Sequence, residues 1–287
     1  MGDVDPKAMD AALDLLRRLP PEDVRENLEG IIDLCPDLTE ELLSRVDQPL
    51  QVAEDKEAEK QYLLCDYNRD GDSFRSPWSN AYDPPLADGA VPSEWLRKLE
   101  EEANDTFSTY RDQYYGNPSL SSVYFWDLEE SEENGSFAGC ILIKKTAEPG
   151  SGRRKTDEGT WDSIHVVEVT VDKAKKSAKY KLTSTIMLFL ASKVGKTDPF
   201  SLAGQITRQS ESQVPLSEGH VANIGRMVED MESKLLASLE QVYFGKTRMI
   251  LGNLYKGEAE EELYAPRGMS MQASLIAEMQ KKAAIKK

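Results

Sequence analysis

Apolar positions change period along this chain, and each change marks an element. In the first fifty residues Met9, Leu13 and Leu16 keep helical spacing, then Val24, Leu28, Ile31 and Ile32, then Leu38, Leu42 and Val46. Pro20, Pro21 and Pro36 separate these stretches, because proline lacks the amide that continues a helix yet is tolerated in its first turn. Each helix is too short to persist alone, so the three stripes are expected to pack as an antiparallel bundle. Residues 61–92 mix a short strand with proline and glycine turns. A longer helix is predicted over 93–114, with Leu96, Leu99, Ala103, Phe107, Tyr110 and Tyr114 on one face.

The period then shortens to two. Segments 121–128, 137–145, 160–171, 178–191 and 200–209 are rich in Val, Ile, Tyr, Phe and Thr, with charged or turn-forming residues between them. Five strands in succession with short links predict an antiparallel meander, and the polar stretches 129–135 and 146–159 read as exposed insertions. A long helix follows over 221–244, its inner face carrying Ile224, Val228, Met231, Leu235 and Val242. A short helix through Met249, Ile250 and Leu254 should end before Gly257, where EAEEEL opens a charged linker. The fold class is therefore α+β: an N-terminal three-helix bundle, a central five-stranded meander covered by a long helix, and an amphipathic C-terminal tail. The expected organisation is a helical bundle over 1–60, a region of turns and a helix over 61–115, the sheet over 116–210, the long and short helices over 211–256, and linker plus tail over 257–287.

A chain of 287 residues with 39% hydrophobic content can bury a sizeable core. The N-terminus carries three acidic residues in its first ten and no apolar run, so a cytosolic location is expected. Cys35, Cys65 and Cys140 are odd in number and widely spaced, which suits neither a zinc site nor a disulfide framework; buried, reduced thiols are expected. A formal net charge of −16 argues against nucleic acid, which demands a basic footprint. The charge is uneven. Residues 1–60 hold 17 acidic and 7 basic side chains, a net of −10, whereas 267–287 hold 5 basic and 1 acidic, a net of +4. An acidic body with a basic end points to an acidic partner or an anionic surface at that end.

Candidate chemistry is sparse. Asp66, Asn68, Asp70 and Gly71 occupy positions 1, 3, 5 and 6 of an EF-hand-like loop, but position 12 is Pro77 where a bidentate glutamate is required. A calcium-regulated protein using Asp66, Asn68 and Asp70 is the rival reading from another class. His165 alternates with Val167, Val169 and Val171 along a strand, so packing on or beside the apolar face outweighs a role as base; His220 sits where the long helix should begin. No phosphate-binding glycine loop or nucleophile elbow is present, and neither an enzyme nor a cofactor is expected.

The string YLLCDYNRDGDSFRSPWSNAYDPP over 62–85 resembles the β subunit of the heterodimeric F-actin capping protein. Further matches arrive in that family's order: ALDLLRRLPP, VDQPL, LRKLEEEAN, SSVYFWDL, WDSIHVVEV, YKLTSTIML, HVANIGRMVEDME and YFGKT. The ordered set covers roughly residues 11–254 and carries the specificity, since no single motif in it is catalytic. The resemblance implies an obligate heterodimer with a capping protein alpha subunit, the two sheets joining into one. It also implies calcium-independent binding to the F-actin barbed end, which blocks subunit addition and loss in the cytoplasm and cytoskeleton. It further implies regulation by phosphoinositides and by capping-protein-interaction-motif proteins. The alternative within the same class is an end cap of an actin-related filament in a motor adaptor complex.

Two segments become candidate actin contacts on this basis. Lys246 and Arg248 in FGKTR follow the long helix; cations there are favoured by the helix dipole alone, and the resemblance adds that they face actin. In the tail, Met271, Leu275, Ile276 and Met279 fall within one helical arc, interrupted by Gln272. The resemblance implies that this arc docks in a hydrophobic cleft on the terminal actin subunit, with Leu275 deepest. The ordinary structural alternative is that the stripe folds back on the body.

Overall fold

Five consecutive strands build one antiparallel sheet whose spatial order repeats chain order, β6–β7–β8–β9–β10. They span Ser119–Asp127, Phe137–Ala147, Asp157–Val171, Ser177–Ser192 and Phe200–Pro215. The computed structural model describes residues 6–39 apart from 17 and 20–22, then 42–43, 46, 49–128, 135–147, 157–172, 174, 176–192 and 200–239. The chain separates into a unit over Met1–Leu235 and a second unit from Leu236 on, of which residues 236–239 are described.

Helices α1 (Pro6–Leu16) and α2 (Val24–Leu34) form where the sequence predicts them. Met9, Ala12, Leu16, Val24, Leu28 and Ile31 from these helices share one buried cluster with Leu38, Leu42 and Val46. The third predicted helix lies partly outside the described residues; its apolar stripe is nonetheless buried against the other two. Cys35 corrects the expectation of buried thiols: it stands at the C-terminal end of α2 and is exposed, Cys65 is half-buried, and only Cys140 is fully enclosed.

Residues 51–83 form a hairpin, β1 (Gln51–Asp55) with β2 (Lys60–Leu64), and a small three-stranded sheet of β3 (Arg69–Asp70), β4 (Ser73–Arg75) and β5 (Tyr82–Asp83). The hairpin lies on the sheet face that carries Tyr124, Cys140, Leu142, Ile164 and Met187, packing Leu63 with them. Polar bonds fix its position: the Leu63 amide donates to Ser122 Oγ at 3.0 Å, and the Tyr124 hydroxyl donates to the Leu63 carbonyl at 2.7 Å. The Leu50 amide donates to Asp162, which also holds Lys144 Nζ at 2.9 Å. Gly139 is dictated by packing, because a Cβ there would come within 2.1 Å of the Phe125 ring.

The calcium-like string is a clasp in this structure. Asn68 turns its amide inward, accepting from the Cys65 amide and donating to the Arg75 carbonyl, both at 2.9 Å. Arg69 lies between Asp66 and Asp72, at 4.0 and 3.9 Å. Gly71 has φ +58°, so the sharp turn that glycine implied is real although its purpose is structural. Further on, Ser76 and Ser79 hydroxyls and the Glu57 and Ala58 amides all donate to Asp55. Burial alone would push that carboxyl up, but these donors outweigh it and hold it well below the usual carboxylate range.

Helix α3 (Glu94–Tyr114) buries Leu96, Ala103 and Phe107 as its periodicity requires, and with them the polar Glu100 and Asn104. Tyr114 departs from the predicted inner face: it is 58% exposed, and its hydroxyl donates to the Glu229 carboxylate instead of entering the core. Glu100 accepts from both terminal nitrogens of Arg75 (2.8 and 2.7 Å), from Arg97 (2.5 Å) and from the Phe125 amide (2.6 Å). Asn104 accepts from the Val123 amide and donates to the Val123 carbonyl, both at 2.9 Å. Side chains of α3 thus satisfy the outward backbone groups of β6 in place of another strand. Removing Glu100 strands a buried guanidinium and an amide, so Glu100→Ala should destabilise the fold by about 3–5 kcal/mol. Glu101→Ala, beside it but 58% exposed, should change stability by no more than about 0.5 kcal/mol; equal losses in denaturant titrations of the two variants would refute this.

Candidate functional site

Strand β10 is sixteen residues long and forms the other edge of the sheet. At about 3.3 Å per residue it presents roughly 50 Å of backbone. Its partner β9 satisfies one side along the whole length, from Phe200 opposite Ser192 to Pro215 opposite Ser177. Among the described residues no strand pairs with the other side. Soluble proteins usually protect such an edge with charge, proline or a covering element. Here Arg208 and Glu211 are its only charged residues and proline comes only at its end, Pro215. The strand runs six residues past its predicted end. Residues 210–215, SESQVP, lack apolar alternation, so nothing in their pattern signals a strand; cross-strand pairing and a Lys179–Glu211 ion pair at 2.8 Å extend it.

Helix α4 (His220–Leu239) begins where predicted, after Gly219 at φ +87°. Its inner face buries Val221, Ile224, Val228, Met231 and Leu235. Between its outer flank and β10 runs an open groove of about 730 Å³, with Ser210, Ser212 and Val214 on the strand side and Arg226, Met227 and Asp230 on the helix side.

A polar lock holds α4 in place. Glu232, one position beyond Met231 on the inner arc, is buried and meets His165, which is wholly enclosed on β8. A carboxylate only accepts, so His165 Nε2 donates to Glu232 Oε1 at 3.1 Å, while Nδ1 faces Ser184 Oγ at 2.8 Å. The hydroxyls of Tyr110 and Tyr115 donate to the same carboxylate at 2.5 and 2.6 Å. Burial would push Glu232 up, yet His165 and the two phenols outweigh it and hold the carboxyl below its ordinary value. Both phenols are pushed far up, first by burial and then by the Glu232 charge. His165 is packed in the interior as expected, through a polar network that sequence reasoning missed. The available signal was an acidic residue falling on the apolar arc of the helix. His220 meets the Tyr180 hydroxyl at 2.9 Å and packs against Phe137, and burial lowers its pKa.

The residues predicted to touch actin, Lys246, Arg248, Met271, Leu275, Ile276 and Met279, all lie outside the described residues, as do Val242 and the short helix through Leu254. Asp66, Asn68 and Asp70 are described, and their side chains do not converge: the Asn68 oxygen is taken by the Cys65 amide and Asp66 faces Arg69.

The profile of the family described as "F-actin capping protein, beta subunit" matches residues 9–251. A Caenorhabditis elegans protein named F-actin-capping protein subunit beta is 53% identical over 257 residues, covering 89% of this chain and 91% of its own length. Its Drosophila melanogaster namesake is 55% identical over 248 residues, covering 86% of each. A solved structure, the homodimeric actin capping protein alpha subunit from Plasmodium berghei, aligns over 86% of this chain and 95% of its own with a TM-score of 0.48 and 15% identity.

The lock yields a pH expectation. A carboxyl depressed in the folded state contributes stability that is full above its unfolded value, here 4.5, and lost as pH falls through its lower folded value. Glu232→Gln should start with a lower melting temperature at pH 7 and show a shallower decline between pH values of about 5 and 3. Melting curves of the two proteins that stay parallel across that range would refute the assignment.

Proposed function

Because this chain belongs to the family of F-actin capping protein beta subunits, we propose that it closes the barbed, fast-growing ends of actin filaments as one half of a heterodimer with a capping protein alpha subunit. The observation that carries this reading is the asymmetry of the sheet: one edge is sealed by Glu100 and Asn104, whereas the outer side of the sixteen-residue β10 has no strand partner among the described residues and runs beside a groove. An alpha subunit that adds a strand to β10 and lays a helix in the groove satisfies both. The activity is steric. It needs no cofactor and no bond-breaking group, and it places the protein with the cytoskeleton in the cytoplasm.

Actin contact is assigned to two segments beyond α4. Lys246 and Arg248 supply positive charge against acidic actin and accelerate encounter, an influence that weakens as salt rises. The arc of Met271, Leu275, Ile276 and Met279 docks as an amphipathic arm behind the linker that opens at 257. Burying three or four such side chains gives about 5–10 kcal/mol gross, against roughly 4–15 kcal/mol for lost freedom of motion on association. The arm alone is therefore a weak ligand. Tethered to a body already seated on the filament, it rebinds at high effective concentration and slows release. Phosphoinositide headgroups compete for the same cations, and proteins bearing capping-protein interaction motifs are further partners.

Co-expression with a capping protein alpha subunit, followed by elongation of pyrene-labelled actin from seeds, tests the reading: substoichiometric complex should arrest barbed-end growth, and unhindered growth would overturn it. Truncation before Met269 should leave the heterodimer intact and raise its dissociation rate from filament ends by at least about tenfold. Replacing Lys246 and Arg248 by alanine should instead slow association, up to about tenfold at low salt, and flatten its salt dependence. Single-molecule residence times on filaments distinguish the two outcomes; unchanged residence after truncation would remove the arm from the mechanism.

A further inference from the structure

We propose that Cys65 and Cys140 form a peroxide-responsive thiol pair that closes to an intramolecular disulfide, with Cys65 reacting first. The two residues are 75 positions apart in the chain, yet their sulfurs lie 4.0 Å from one another. Cys65 follows β2 at the start of the clasp, and Cys140 lies in the middle of β7 beneath the hairpin. Disulfide formation requires the sulfurs to approach to about 2.05 Å, so the gap to close is roughly 2 Å and falls within the reach of side-chain rotation at the half-buried Cys65.

The surroundings assign distinct roles. Cys65 lines a cavity of about 260 Å³ together with Gln51, Tyr67, Arg25 and Arg69, a polar opening wide enough for a small hydroperoxide. Cys140 has no exposed surface, and burial pushes its thiol well above the usual value, which keeps it protonated and unreactive toward outside oxidants. In the first step the Cys65 sulfur attacks the peroxide O–O bond; one oxygen stays on sulfur as sulfenic acid and the other leaves as water. In the second step the Cys140 sulfur displaces that hydroxyl, forming the S–S bond and releasing a second water. Two thiols are oxidised by two electrons and one hydrogen peroxide is reduced to two waters. Oxidation would tie the hairpin to the sheet covalently, at the residue whose amide already holds Asn68.

This inference is independent of the capping reading, and its test does not use filaments. The full chain, carrying Cys35→Ser to remove the exposed third thiol, is treated with hydrogen peroxide, alkylated and mapped by mass spectrometry without reduction. The expected product is a cross-linked peptide pair containing Cys65 and Cys140, about 2 Da lighter than the sum of its parts and released by dithiothreitol. In Cys140→Val, which keeps an apolar side chain on β7, Cys65 should accumulate as a dimedone-trapped sulfenic acid. In Cys65→Ser, Cys140 should remain unmodified. The proposal is overturned if native protein gives no linked pair while Cys65 proceeds to sulfinic acid, or if the link forms only in guanidinium. It is equally overturned if Cys140 oxidises as fast in Cys65→Ser as in the parent. Should Cys140→Val fail to fold, the comparison of native and denatured parent still decides.

Discussion

An antiparallel sheet that does not close on itself has two edges, and every unpaired amide and carbonyl along them must find a partner. This chain treats its edges oppositely. Along β6 the carboxylate of Glu100 and the amide of Asn104 reach the Phe125 and Val123 backbone, and the buried Arg75 together with Arg97 neutralises the Glu100 charge. Four donors saturate the Glu100 carboxylate, which makes a buried ion tolerable that would otherwise be prohibitive. Because that seal also recruits Pro77 and Trp78 through Arg97, the clasp of residues 66–85, helix α3 and the first sheet strand form one cooperative block. Along β10 the backbone is met more sparsely: Arg208 donates to the carbonyl of its neighbour Thr207 at 2.9 Å, and at the strand's end Asn223 of α4 donates to the Pro215 carbonyl at 3.0 Å.

That contrast explains where function can reside. Several buried polar groups do structural work: His165 and Glu232 hold a helix, Asp55 organises a turn, and Ser76 and Ser79 serve Asp55. The edge strand β10 and the groove beside α4 lie on the outside of the sheet.

Much of this architecture is legible in the sequence, because amphipathic period and strand alternation are strong wherever one face is buried. All five sheet strands and the helices beginning at Pro6, Val24, Glu94 and His220 follow from it. Legibility fails where the deciding partner is remote. Glu100 and Asn104 look like solvated helix positions until β6 is placed against them, and Glu232 looks like surface charge until His165 faces it. The second half of β10 carries no alternation, since neither of its faces is deeply buried. The most distinctive string in the chain misleads by local resemblance to a calcium loop. Asp66 and Asp72 serve Arg69, Asn68 serves its own backbone, and of the calcium-loop geometry only the glycine turn is kept. Three cysteines with no regular spacing give no hint that two of them meet.

Spatial order in the sheet equals order of synthesis. As the polypeptide emerges, the sealed strand β6 and the elements that seal it are complete before any of β7 to β10 exists, and β10 is made last. Each nascent strand is covered by its successor as translation proceeds, so the adhesive rim appears only when the rest of the sheet is already assembled. The outer edge of the sheet is therefore set by the last of its five strands to be made, and until then each newly formed strand serves as the edge on which its successor pairs.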